Sequence, residues 1–356
     1  MQIKTWISVI TVMISLNLIG QDLHFTQFNL APLNLNPALT GAYLGTYRAG
    51  ILYRDQYRTV NSGTPRPYQT ATVFIDSPII GGFRKKDWIG LGANFFYDQA
   101  GTTEVKNIGT ILSLAYHLGL GKKGDNVFTI GAQYGSVQRR FDASLGVTGW
   151  SLENGLGMSP LSDPDLANLP MGNSNTGQGN LVESSYNLLA VGTLLTTSAG
   201  KNSDLRLGLT VSHFLRPGQS FAGGFRQDRK YVKTAAFISL YSDLGGRFTF
   251  KPQALFQTAG GINELVIQGI GSFLLNEEKE MSFNAGIGVR AVNALDLQVI
   301  AGMDIKDIRV GVAYDFNLAN FNPATNGHSG FELAVTYIGK VYKKPKVEPI
   351  LICPRL

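Results

Sequence analysis

Alternation of apolar and polar residues with a period of two is the dominant pattern along this chain. It is clearest where Met281, Phe283, Ala285, Ile287 and Val289 alternate with Ser282, Asn284, Gly286, Gly288 and Arg290. Successive side chains of a strand point to opposite faces, so this segment presents one wholly apolar face and one small or polar face. Ile308, Val310, Val312, Tyr314 and Phe316 alternate likewise with Asp307, Arg309, Gly311, Ala313 and Asp315, and Leu295, Leu297, Val299, Ala301 and Met303 enclose Asp296, Gln298 and Gly302, with Ile300 the exception. The pattern recurs over 89–97, 128–134, 205–211 and 248–256. In all, the periodicity predicts about 14 strands, near 46–54, 69–76, 88–97, 105–118, 126–138, 184–197, 203–213, 232–241, 246–257, 262–274, 281–290, 295–303, 307–316 and 329–339. The count is even, as in single-chain bacterial barrels.

A soluble sandwich also alternates, so the placement of charge decides between the two. Arg206, Arg247, Lys251, Arg290, Asp296, Arg309 and Asp315 fall within predicted strands on the second face, opposite an unbroken apolar one. That is the arrangement of an all-β, transmembrane antiparallel β-barrel of the outer-membrane type, with a polar lumen and an apolar exterior. The barrel is expected over residues 46–339. If the chain starts on the periplasmic side, the odd connections face outward. These include the longest, Asp55 to Arg66, Asp142 to Glu183, Leu215 to Tyr231 and Asn317 to His328, whereas the even ones are mostly short turns. Long external loops with short periplasmic turns are the expected asymmetry. Asp142 to Glu183, rich in Gly, Asn, Ser and Pro, is long enough to be either functional or without regular structure.

Composition narrows the class further. Charged residues make up 16% of the chain, below the roughly 25% usual for soluble domains. After the N-terminus no apolar run approaches the length of a spanning helix. The net charge of +6 is scattered, with no basic stripe interleaved with aromatics, so nucleic acid is not expected as a partner. A single cysteine, Cys353, excludes an internal disulfide framework and a Cys-rich metal site. Lys4 followed by the uncharged apolar stretch Trp6 to Ile19 has the form of a secretory signal, with cleavage expected between Gly20 and Gln21. Export through the Sec pathway to the outer membrane follows, with 1–20 removed, 21–45 a periplasmic or plug segment, and 340–356 a periplasmic tail. In that tail Lys343, Lys344 and Lys346 precede Ile350, Leu351, Ile352, Cys353, Pro354, Arg355 and Leu356. A basic stretch followed by an apolar run can offset the ordering cost of binding by charge pairing and burial, which makes the tail a candidate docking segment for a partner. The alternative is a chain end with no partner.

Other motifs carry less. Asn36-Pro37-Ala38 and Asn322-Pro323-Ala324 repeat the tripeptide of water channels, but there it caps half-helices in a helical bundle, and here Asn-Pro reads as a turn signal. The four histidines, His24, His117, His213 and His328, have no metal-ligand spacing. His213, expected on the outward register beside Ser212, lacks a surrounding nucleophile motif. No catalytic residue, cofactor or metal is assigned, and the chain is expected not to be an enzyme. Cys353 could be a reactive thiol, an attachment point or an exposed residue without a role.

The block Gln21-Asp22-Leu23-His24-Phe25-Thr26-Gln27-Phe28, with Leu35-Asn36-Pro37-Ala38, Thr40-Gly41 and Tyr53-Arg54-Asp55-Gln56-Tyr57, resembles the mature N-terminus of the PorP/SprF family, outer-membrane proteins of the type IX secretion system of Bacteroidetes. The ending Cys353-Pro354-Arg355-Leu356 resembles the Cys-Pro-Arg-aromatic ending of members related to gliding motility, with Leu356 departing from the aromatic. The resemblance implies a barrel in the lipid bilayer that partners periplasmic and outer-membrane components of the machinery. It also implies a role in delivering or anchoring adhesin-like cargo, recognised through the cargo's C-terminal domain, at the cell surface. The tail favours the SprF-like branch. The rival expectation is a diffusion channel for small hydrophobic compounds, a use to which 14-stranded barrels are also put.

Overall fold

The computed structural model describes residues 23–57, 68–81, 84–101, 104–121, 126–142, 181–200, 202–218, 229–292, 294–318 and 327–340. Fourteen antiparallel strands close into one barrel: β1 (Tyr47–Gln56), β2 (Tyr68–Gly81), β3 (Trp88–Ala100), β4 (Val105–Leu120), β5 (Asn126–Asp142), β6 (Leu181–Gly200), β7 (Ser203–Ser212), β8 (Lys233–Asp243), β9 (Phe248–Ala259), β10 (Ile262–Asn276), β11 (Met281–Val292), β12 (Ala294–Ile305), β13 (Ile308–Asn317) and β14 (His328–Gly339). Each strand pairs with its neighbours in sequence, and the ring closes where β1 meets β14, in register from Tyr47 opposite Gly339 to Gln56 opposite Gly330. Closure leaves no unpaired edge, which is why an all-strand wall can stand in hydrocarbon.

The alternation fixes which face is which. Ile51, Ile75, Leu112, Ile130, Leu209 and Ile287 project outward and stay exposed, Ile287 at 67%. In water that band would be costly, and facing lipid tails it is not. Ile300, the exception in its strand, points inward and packs against Ile270 and Ala313.

Two details differ from the sequence pattern. Strands β5 and β6 run further toward the long connection than the apolar alternation indicates, because Arg139 to Asp142 still pair with Leu181 to Ser184. Rungs beyond the hydrocarbon layer need no apolar face, so their polarity disguised them as loop. Arg247 lies in an exposed turn before β9 and not within a strand, because Gly245 and Gly246, with φ of +88° and +64°, turn the chain just before it; it still lines the cavity at the short-turn rim.

The turn between β2 and β3 illustrates how the short rim is held. Asp87 accepts from the Arg84 guanidinium at 2.9 Å, from the Tyr116 hydroxyl at 2.8 Å and from the Gly119 N–H at 3.1 Å. The Arg84 hydrogen bond, foremost, holds the Asp87 carboxyl below its ordinary range. A carboxylate whose pKa is lowered on folding stabilises the fold above its unfolded value and loses that contribution as the pH falls. Asp87→Asn should therefore cost about 1 kcal/mol at neutral pH, and the difference from the parent should vanish when urea unfolding is repeated below pH 3.

Candidate functional site

The lumen is filled by the chain's own N-terminal segment. Thr26 to Thr40 is almost wholly buried among inward-facing wall residues, as a 3-10 turn Phe28–Leu30, a single α-turn Pro32–Leu35 and a 3-10 turn Pro37–Leu39. Proline opens each of the last two turns, where its missing N–H costs nothing. Asn36 caps the last one. Its Oδ1 accepts from Ala38 N at 2.8 Å, while its Nδ2 donates to Thr193 O and Leu209 O on the wall, both at 3.1 Å. The tripeptide Asn36-Pro37-Ala38 is thus a turn, as its sequence indicates, and also a staple to β6 and β7. Its counterpart at 322–324 lies outside the described residues.

The segment is anchored near the rim of long connections by a cluster of buried charge. Glu332 accepts from the N–H groups of both Thr26 and Gln27, and Asp315 accepts from the Thr26 hydroxyl at 2.7 Å. Arg54 pairs with Glu332 and with Asp315, the latter at 2.9 Å, and Arg290 pairs with Asp315 at 2.8 Å and Glu264 at 3.3 Å. Both arginines also donate to the Thr26 hydroxyl at 2.8 Å. Gln268 donates to Thr26 O at 2.8 Å and to Gln298 at 2.7 Å. One threonine therefore has its donors and acceptors matched by groups from six strands, β1 and β10 to β14.

A second anchor lies near the short-turn rim. Asp76 accepts from Arg48 at 2.7 Å and from Gly41 N at 2.7 Å, and Arg48 donates onward to Leu39 O at 3.0 Å. The Arg48 guanidinium also lies 4.4 Å from the Tyr43 ring, within cation–π reach. Between the anchors, Gln133 donates to Leu33 O at 2.7 Å, His117 Nε2 to Thr40 O at 2.8 Å, and Trp88 Nε1 to Gly41 O at 3.0 Å. His117 stacks on Trp88, with centroids 4.4 Å apart.

Glycines on the lumen face make the fit possible. A Cβ on Gly131 would stand 2.4 Å from the backbone of Pro37 and Ala38, one on Gly192 would stand 2.1 Å from Asn36 Oδ1, and one on Gly90 would stand 2.2 Å from Thr40 O. Gly41, at φ +70° and against Gly90, is the one position in the segment where a left-handed backbone and a close approach coincide.

The segment lies between two cavities. The one toward the long connections encloses about 850 Å³, open to solvent, and is lined by Leu23, Phe25, Tyr186, His213 and Lys233 among others. The one at the short-turn rim is larger, about 2040 Å³, and more charged. His213 is buried and faces the first cavity, contrary to the outward register predicted for it. Strand β7 ends at Ser212, and His213 takes a left-handed conformation, φ +58°, which brings its ring to the edge of Tyr186. His24 sits beside Gln56 and His328 beside Tyr314, so the four histidines occupy separate places.

Of the positions singled out by the sequence, Gly20, Gln21 and the tail from Lys343 to Leu356 lie outside the described residues, as does the span 143–180. Arg290 and Asp315 were legible as inward charges and meet in one cluster. Thr26, Arg54 and Glu332 were not assigned a role, although the strand alternation puts Arg54 and Glu332 on the lumen face.

A sequence profile for the family described as "Type IX secretion system membrane protein PorP/SprF" matches residues 17–337. No curated protein matches the chain. Among solved structures, a TodX monoaromatic hydrocarbon channel mutant is similar at 12% identity and a TM-score of 0.50, covering 86% of this chain and 93% of that one. The Ralstonia pickettii toluene transporter TbuX is similar at 11% identity and a TM-score of 0.47, covering 86% and 92%. At such identities the likeness concerns the barrel fold alone.

Proposed function

This chain belongs to the PorP/SprF family of type IX secretion system membrane proteins, an outer-membrane barrel, and from that premise we propose that it works as a non-conducting partner of the secretion machinery that helps deliver or anchor adhesin-like cargo at the cell surface. The observation that carries this reading is the lumen segment, held near both rims and through its middle, which suits a scaffold better than a conduit. The test is conductance in planar bilayers. The full mature chain should show no channel-sized steps, and a variant lacking residues 23–40 should show them. Steps of equal size from both would defeat the reading. The upper cavity, with Leu23 and Phe25 in its lining, favours the second reading, a route for small hydrophobic compounds. Uptake of a radiolabelled aromatic by cells with and without the gene would expose it.

The SprF-like branch is our choice on the strength of the Cys353-Pro354-Arg355-Leu356 ending, and the docking role falls to the tail from Lys343 to Leu356. The wall is complete at Gly339, so the tail is not needed to close it. Deleting Lys343 to Leu356 should leave heat-modifiable gel migration normal and abolish cargo display. Unchanged display would remove the docking role, and failed assembly would give the tail a part in insertion instead. Cys353→Ser should have a smaller effect than the deletion.

The long connections are taken to face outward, with the short turns in the periplasm. Protease applied to whole cells should cut within 143–180 and spare Lys122 and Lys123. The opposite pattern would invert the topology.

A further inference from the structure

We propose that the lumen beneath the N-terminal segment holds a binding site for a single-chain anionic amphiphile, with its head group on Lys251 and its chain against the segment's apolar residues. Lys251 points inward from β9 and lines the two adjoining hollows on this side of the segment. Four basic side chains line the smaller one, and three have acidic counterparts. Arg48 pairs with Asp76 at 2.7 Å, Arg309 pairs with Asp304 at 2.5 Å, and Arg206 lies within electrostatic reach of Asp204. Among the described residues Lys251 has no carboxylate within ion-pair distance: Asp304, the acid within electrostatic reach of it, is already held by Arg309, and the ammonium lies 5.6 Å from the Tyr241 ring. A half-buried cation with no acid of its own favours an anion beside it.

Apart from Asn29, Asp204, Ser239 and Gln253, the rest of the hollow is apolar. Phe28, Leu35 and Leu39 of the segment and Phe237 of β8 contribute to its wall, so the complement to Lys251 is an anion attached to hydrocarbon and not a bare ion. The wall's hydrogen-bond ladder lapses beside this point. The β8–β9 ladder runs down to Ser239 opposite Gln253 and resumes at Ser242 opposite Phe250, without a pair at Leu240 and Pro252 or at Tyr241 and Lys251. Pro252 has no N–H to give to that ladder. Leu240, Tyr241 and Lys251, which flank the lapse, also line the hollow, so the lapse is where a lipid-dissolved molecule would enter from the side.

Titration calorimetry of the full mature chain in an uncharged maltoside detergent tests the site, with oleate, oleoyl lysophosphatidylglycerol and neutral monoolein as probes. One or both anions should bind, monoolein about tenfold more weakly or not at all, and the better of the two anions identifies the head group as carboxylate or phosphate. K251M should weaken the anion about tenfold or more, to the level of monoolein, and K251R should keep most of the affinity. Monoolein binding as tightly as both anions to the unaltered protein would overturn the proposal without any variant, as would K251M binding the anion unchanged. Absence of binding by any of the three would also overturn it.

Discussion

Replacing Arg54 with methionine is expected to destabilise the barrel by about 3–5 kcal/mol, the usual consequence of removing one partner from a buried ion cluster. Arg54 is 1% exposed and bonds to Glu332, Asp315 and the Thr26 hydroxyl together. Without it Asp315 retains Arg290, but Glu332 keeps only the Thr26 and Gln27 amides, and a carboxylate is left in a dry lumen with no countercharge. Urea unfolding in lipid vesicles, followed by tryptophan fluorescence, measures the loss. Arg54→Lys should fall between parent and methionine variant, since it restores the charge but not the fork that reaches both acids. A loss below about 1 kcal/mol would mean that water relaxes the cluster and that the anchor is weak.

The second large effect is steric. Gly131→Val puts a side chain where the backbone of Pro37 and Ala38 already stands, and Gly192→Val does the same to Asn36. The Pro37–Ala38 backbone cannot move aside as the tip of a lysine can, and the Asn36 side chain is held by Thr193 O, Leu209 O and Ala38 N, so the segment must leave its seat or the wall must bulge, at about 1–3 kcal/mol or more for each. Because the strands around Gly131 and Gly192 keep their ladders in either case, the wall should persist and the segment should be displaced. Both variants should then keep heat-modifiable migration and acquire conductance steps that the parent lacks. Silent bilayers with normally assembled variants would show that the segment can give way without opening a path.

The fold was legible because a membrane wall obeys one simple rule. Every residue of Met281 to Arg290 faces lipid or lumen, and the two media differ so much that the sequence must alternate cleanly. The rule lapses where the media no longer differ. It missed the ends of β5 and β6, which stand beyond the apolar band, and it extended the strand over Arg247 although the chain turns there. The lumen site was less legible for another reason. Alternation reports that Arg54, Arg290, Asp315 and Glu332 point inward but is silent about how far round the ring each one stands. Arg54 and Glu332 are far apart in sequence and directly opposite in register only because the ring closes. Thr26, the residue around which they gather, lies in a stretch with no periodicity at all. His213 failed similarly, since a single left-handed residue ends the alternation and reverses the side.

The seam between β1 and β14 sets an order of events. All other strand pairs join neighbours in sequence and can form as soon as the chain is available, whereas this one must wait for the last strand. The segment that fills the lumen comes first in the chain, and the charges that hold it, Arg54 of β1, Asp315 of β13 and Glu332 of β14, straddle that same seam. Until the first and last strands meet, Thr26 cannot hold Arg54 and its partners on β10 to β14 together, and Arg54 has neither Asp315 nor Glu332 to face. The final step of construction therefore completes the seat of the N-terminal segment. A barrel that shut with the segment outside would bring its buried arginine and two acids together around a gap where Thr26 should stand.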